Sequence, residues 1–233
     1  MDITVIIPIY NEEGNIDLMY KALKDAFYGI DRHVEFIFIN DGSRDGSLAG
    51  LKKIIQIDSL VRIISFDKNY GKTSALDAGF RSAKGGFVLT IDGDLQYNPK
   101  DLLRIMKELE GGADIVLGRR VNRTSGPLKN ISSKVAVFIR NLALGEGYQE
   151  CYLAGYKKAM FDGLVLYNGF QDFIPALLKD ERCIIKEIEV KEYPRRYGKS
   201  KYGVVNRVFK AFFVLLAVKW MKDNKMRYRI VEY

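Results

Sequence analysis

Five short runs rich in β-branched and aromatic residues recur through the first half of the chain. They are ITVIIPI (3–9), VEFIFIN (34–40), VRIISF (61–66), GFVLTID (86–92) and ADIVLG (113–118). Each is apolar at consecutive positions rather than alternate ones, which predicts strands buried on both faces. Between them lie stretches of helical period, such as IDLMYKALKDAFYGI (16–30) and PKDLLRIMKELEGG (99–112). The second opens with a proline near its first turn and closes on Gly-Gly, as a helix does. Strand alternating with helix means βαβ units, hence a mostly parallel sheet with helices on both faces. The expected fold class is α/β and Rossmann-like.

The rhythm changes after residue 118. SGPLKNISSKVAVFIRNLAL (125–144) predicts a helix after a loop, and CYLAGYKKAMFDGL (151–164) a short strand and a helix. NGFQDFIPALLKD (168–180) predicts another helix, and CIIKEIEVKEY (183–193) alternates like a half-buried strand. A basic loop and a last helix, from about 203 to 221, follow. The expected organisation is one α/β domain over 1–203, with a doubly wound half (1–118) and a half that decorates it (119–203). A C-terminal amphipathic helix and basic tail occupy 204–233.

Charge and rare residues narrow the chemistry. The formal net charge is +8, and the basic excess gathers after residue 118, in GRRVNR, YPRRYGKSKYG and KWMKDNKMRYR. Such a half suits an anionic partner: phosphates, nucleic acid or an acidic membrane surface. The single histidine, His33, lies far from every polar cluster, which excludes histidine triads and histidine metal sites. Cys151 and Cys183 have neither metal-type spacing nor the density of a disulfide framework, so a reducing, cytoplasmic setting is expected. The start, MDITVIIPIY, has an acid at position 2 and no basic region, unlike a secretory leader.

Ligands of open α/β sheets bind beyond the carboxyl ends of the strands. Three predicted strands end in polar residues there: Tyr10-Asn11-Glu12, Asn40-Asp41-Gly42-Ser43 and Asp92-Gly93-Asp94. Strand alternation places Asp92 and Asp94 on one side, and Gly93 leaves room for close backbone approach. With Gln96 they form an all-oxygen set that suits Mg2+ or Mn2+, whose other ligands come from water and substrate phosphates. An Asp-Gly turn with a spare acid is the plainer reading of the same letters. Asp41, on a strand-to-helix turn, suits a ribose hydroxyl or base edge, or equally a turn or cap role. Lys72 opens a helix in NYGKTSALDAGF, where it suits a phosphate or simply solvent. Neither GxGxxG after the first strand nor GxxxxGK[ST] occurs, which removes the usual dinucleotide and P-loop readings.

Taken in order, VIIPIYNEE, FINDGSRDGS, NYGKTSALDAGF, TIDGDLQYNP, LGRR and RRYGKSKYG resemble the family 2 glycosyltransferases of GT-A fold. The resemblance runs over about residues 3–220 and is closest to the dolichyl- or polyprenyl-phosphate mannose synthase-like branch. It implies an inverting, metal-dependent hexosyltransferase moving a sugar from a GDP- or UDP-linked donor to a polyprenyl or dolichyl phosphate. Residues 1–118 then form the nucleotide-sugar half and 119–203 the acceptor half. By resemblance Asp92, Asp94 and Gln96 hold the cation, while Pro8, Tyr10, Glu12, Ile39 and Asp41 line the nucleotide. Arg120 matches the arginine of a Gly-Ser-Arg element, with Arg119 in place of the serine. Arg195 and Lys201 match residues that close over the diphosphate and lipid phosphate, and Lys129 stands where the branch often has an arginine for the acceptor phosphate.

The departures bear on the acceptor. Where the branch usually has an aspartate, CYLAGYK offers Cys151, with Glu150 as its acidic neighbour. Asp172, in GFQDF, falls near the Glu-Asp base of relatives that glycosylate hydroxyls. A sugar hydroxyl needs such a base, whereas a phosphate acceptor is already anionic. VFKAFFVLLAVKWM (208–221) is too short to cross a bilayer but suits a membrane surface, or packing on the protein's own core. The expected location is therefore cytoplasmic and peripheral to the membrane, with a homo-oligomer left open. A nucleic-acid-binding module is the rival from another class, since the basic loop interleaves aromatics with cations. Acids at three strand ends would repel a phosphate backbone and count against it.

Overall fold

The two innermost strands show how the sequence builds the sheet. β1 (Ile3–Ile9) and β2 (Val34–Asn40) pair in parallel, and nearly every side chain in them is buried. Odd positions of β1 and Phe36 and Phe38 of β2 enter one core, together with Met19, Leu23, Leu51 and Ile105. Ile6, Ile37 and Ile39 point the other way, into a second core with Ala75, Leu76 and Phe80. The two-residue period thus feeds two helical layers, and each large side chain removed from water contributes about 1.5–3 kcal/mol.

The computed structural model describes residues 2–121, 153–179, 182–195, 197 and 204–224. Around the central pair stand β3 (Val61–Ser65), β4 (Phe87–Ile91), β5 (Ile115–Arg120), β6 (Leu153–Lys157) and β7 (Ile185–Val190). The seven strands run in the order β3-β2-β1-β4-β6-β5-β7. All pairings are parallel except those of β6, which runs antiparallel to both neighbours. The helices are α1 (Ile16–Ala26), α2 (Ser47–Ile57), α3 (Lys72–Ser82), α4 (Asp101–Glu110), α5 (Ile174–Leu178) and α6 (Val204–Asp223).

The α/β class and the five strand positions agree with the sequence reading. The second half departs from it in detail. β6, expected as a minor strand, sits inside the sheet between β4 and β5, and β7 extends the edge. The helix expected after β6 is a 3-10 turn, Lys158–Phe161, and the one expected over 168–180 is a 3-10 turn, Phe170–Phe173, followed by the short α5. Gly163 and Gly169 adopt left-handed backbone (φ +73° and +96°) and interrupt the helical path. The helix expected over 125–144 lies outside the described residues.

Candidate active site

The carboxyl ends of β1, β2 and β4 converge on one cleft of about 140 Å³, floored by Pro8, Asp41, Asp92 and Asp94. Strand order explains the place: from β1 the chain winds to β2 and β3 on one side and to β4 on the other, so the loops diverge there. β4 ends at Ile91, and the two acids stand in the turn beyond it rather than in alternating strand positions. They face different partners for that reason. Asp92 Oδ1 pairs with Lys72 Nζ at 2.5 Å, at the N-terminus of α3. Asp94 Oδ2 accepts from Arg195 Nη2 at 2.7 Å, and the same guanidinium reaches Glu12 Oε1 at 3.2 Å. A β-carbon at Gly93 would meet Ile9 Cδ1 at 2.3 Å and the Pro8 carbonyl oxygen at 3.2 Å, so only glycine lets the acid turn lie on β1.

Electrostatics single out Asp94. Its residue is 6% exposed. Burial, then the neighbouring Asp92 charge, push its carboxyl up to about 6, against the Gln96 N–H and the Arg195 charge. A pair of crowded carboxylates of this kind is stabilised by a cation between them. Among the described residues no group of three or more His, Cys, Asp or Glu side chains converges as a metal cage. Two carboxylates in an open cleft fit Mg2+ or Mn2+, which fill their shells from water and phosphate oxygens.

The other residues singled out in the sequence fall into three groups. Pro8, Tyr10, Glu12, Asp41, Lys72, Gly93 and Arg195 line the cleft. Asp41 is buried, and its carboxylate accepts from the Tyr70 and Gly71 N–H groups at 2.7 and 2.9 Å and from Asn69 Nδ2 at 2.8 Å. Burial raises its pKa, and the two backbone donors only partly offset that. Asp41 thus fastens the loop that presents Lys72. Gln96 turns its amide to the Tyr193 carbonyl at 3.4 Å, while Tyr193 N–H donates to the Gln96 carbonyl at 2.8 Å. That clasp draws the segment bearing Arg195 over the acids. Ile39 is wholly buried in the core on the α3 side. Arg120, at the end of β5, faces Glu192 at 3.5 Å. Lys129, Cys151, Glu150 and Lys201 lie outside the described residues.

A smaller cavity adjoins the cleft through Pro8, Lys72 and Asp92. It is lined also by Thr90, Tyr156 and Gln171, and by Asp172. The sequence does not mark Thr90, Tyr156, Gln171 or the cleft residue Asn69. Only Asn69, inside NYGKT, carries a local signal. Gln171 Oε1 accepts from Thr73 Oγ1, and its amide donates to Asp172 Oδ2 at 3.2 Å. The 3-10 turn is thereby fixed to α3.

An open, mostly parallel sheet with paired acids beyond its central strands defines the GT-A class of α/β glycosyltransferases. The chain belongs to the family described as glycosyl transferase family 2, whose model matches residues 4–164. It is similar to the dodecaprenyl-phosphate galacturonate synthase of Rhizobium johnstonii, with 31% identity over 97% of this chain and 69% of the relative. It is also similar to the undecaprenyl-phosphate 4-deoxy-4-formamido-L-arabinose transferase of Proteus mirabilis. There the identity is 32% over 88% of this chain and 64% of the relative. The chain therefore spans about two thirds of the length of these relatives. Its fold is shared with glucosyl-3-phosphoglycerate synthase from Mycobacterium tuberculosis, solved with Mn2+ and UDP. That match has TM-score 0.70 and 18% identity, over 97% of this chain and 81% of that one. It is shared too with the mannosyltransferase PcManGT from Pyrobaculum calidifontis, solved with GDP-Man and Mn2+. Here the TM-score is 0.66 and the identity 18%, over 97% of this chain and 65% of that one.

Proposed function

We propose that this chain transfers a sugar from a nucleoside-diphosphate sugar to a polyprenyl or dolichyl phosphate, with inversion, at the cytoplasmic face of the membrane holding that carrier. The observation that carries the reading is the meeting of Asp92 and Asp94 with Lys72 and Arg195 in one cleft. Paired acids suit a cation–diphosphate complex, and the two basic side chains suit the phosphates themselves. The similarity to two polyprenyl-phosphate sugar transferases supports the acceptor.

Asp92 and Asp94, with Gln96 beside them, are the residues that would hold Mg2+ or Mn2+. When bound, such a cation offsets the charge that builds on the departing diphosphate. Lys72 and Arg195 exchange their carboxylate partners for phosphate oxygens and hold the leaving group, with Lys201 and Arg120 assigned to the same anionic region. Lys129 is assigned to the acceptor phosphate. An acceptor phosphate oxygen forms a bond to the anomeric carbon as the bond from that carbon to the diphosphate oxygen breaks. The electron pair leaves with the diphosphate. No proton has to be removed, so positioning does most of the work.

A second reading has one observation in its favour: Asp172 lines the cavity adjoining Asp92. It would serve as base for a sugar hydroxyl of a glycan or lipopolysaccharide. Incubation with Mn2+, UDP- and GDP-sugars and a short polyprenyl phosphate tests the main reading. A sugar-phosphate lipid product is expected, and no turnover of any donor overturns it. Asp172→Asn retains transfer to the lipid phosphate within a few-fold on the first reading, and abolishes transfer to a hydroxyl on the second.

A further inference from the structure

Asp41 follows β2, the paired acids follow β4, and the strand beyond β4 in the sheet is β6. The smaller cavity lies on that far side of the acids, with Thr90 of β4 and Tyr156 of β6 in its lining. It joins the cleft at Pro8, Lys72 and Asp92. Its volume is about 20 Å³, room for one water-sized group. Asp172 in its wall is held by a relay of hydrogen bonds. Thr73, 3% exposed, accepts from the Gly169 N–H at 3.0 Å and donates to Gln171 Oε1. The amide nitrogen of Gln171 is therefore the end that faces Asp172, and it donates to Oδ2 at 3.2 Å. Thr73 follows Lys72 on α3, so one helix end fixes both the lysine beside Asp92 and the turn carrying Asp172.

We propose that this cavity is a subsite for one hydroxyl of the transferred sugar, selected by Asp172, the inference resting on the transferase reading above. A nucleoside toward β2 and a diphosphate at the acids put the sugar at the cavity's mouth. Within the lining Asp172 is an acceptor and Lys72 a donor, and a hydroxyl, which both donates and accepts, suits the pair. A carboxylate on the sugar would meet Asp172 as a like charge. A gap left by imperfect packing has no use for an acid held by such a relay. A phosphate acceptor needs no base, so on the lipid-carrier reading Asp172 serves recognition instead.

A cycle of donor and enzyme variants tests this. The parent donor is the UDP- or GDP-hexose that the full chain turns over with Mn2+ and a short polyprenyl phosphate. Its 2-, 3-, 4- and 6-deoxy analogues are compared with it. For one analogue kcat/KM should fall about tenfold to a hundredfold in the unaltered chain, the worth of a hydrogen bond to a charged group. That loss should vanish in Asp172→Ala, which treats the analogue and the parent alike. It should return in part in Asp172→Asn, which keeps the shape and an acceptor and so reports even where the alanine variant fails to fold. Losses for the other analogues should be the same in all three enzymes. If no analogue's loss depends on residue 172, the proposal is overturned while the transferase reading stands. Loss of turnover in Asp172→Asn with every donor also overturns it and assigns Asp172 as a base. No turnover of any donor by the unaltered chain removes the transferase reading, and the subsite with it.

Discussion

At the scale of single residues, Asp94 ties the site to the stability of the fold. Its carboxyl is buried beside Asp92 and is pushed up to about 6, above the ordinary carboxylate value of about 3.9. A raised folded-state pKa favours the protonated form. The fold is therefore most stable, as far as this group is concerned, below about pH 4, and loses that stability as pH rises through about 6. At 1.36 kcal/mol for each tenfold change in proton affinity, the rise corresponds to about 3 kcal/mol. In chelator, Asp94→Asn should resist urea better than the wild type at pH 7 by up to that amount, while losing transfer activity. The two proteins should unfold together near pH 4. A stability gap that is the same at both pH values would remove the electrostatic account. The residues of this cleft were legible in the sequence as three polar strand ends. What was not legible is that Asp94 faces Arg195, because 101 positions separate them along the chain.

At the scale of elements, the start of the sheet holds a buried charge that the sequence hid. Glu35 is the second residue of VEFIFIN and has 1% exposure. It accepts from Thr4 Oγ1 at 2.6 Å, from Arg62 Nη1 at 2.8 Å and from the Lys84 N–H at 2.8 Å, which joins β1, β2, β3 and the turn after α3. Burial alone would raise its pKa, but the bonds from Thr4, Arg62 and Lys84 outweigh that and lower it. The stabilisation is thus present above the unfolded carboxylate value of about 4.3 and is lost as pH falls through the lower folded one. Arg62→Met should cost about 1–3 kcal/mol at pH 7, because a buried acceptor loses its charged partner. The gap from wild type should narrow as pH falls below the unfolded carboxylate value, which denaturant titrations at pH 7 and in acid would measure. A run of apolar letters correctly predicted the strand, and local pattern had no means of naming the partner of its one acid.

For the whole molecule, the site is an assembly of distant pieces: Glu12 after β1, Asp41 after β2, Lys72 on α3, the acids after β4 and Arg195 beyond β7. Ligand that bridges them should stabilise the entire fold. Mn2+ together with UDP or GDP at about a hundredfold excess over the dissociation constant should add about 2.7 kcal/mol, seen as a raised melting temperature. EDTA should reverse the gain, and Mn2+ or nucleotide alone should give markedly less. Equal stabilisation by nucleotide with and without metal would deny Asp92 and Asp94 their assigned role. By itself the sequence determined the α/β class, the five strands of the first half and the presence of paired acids at the end of the fourth. Those follow from short-range periodicity, which registers burial on two faces and the residues at each strand's end. Only the tertiary structure decided that β6 enters the sheet antiparallel, that Arg195 and Lys72 stand on the acids, and that the side of α6 bearing Val214, Leu215 and Val218 is the one packed on Phe170 and Phe173. Each of these depends on which distant segments meet, and a helix apolar on both sides reads the same in sequence whichever side the protein chooses to bury.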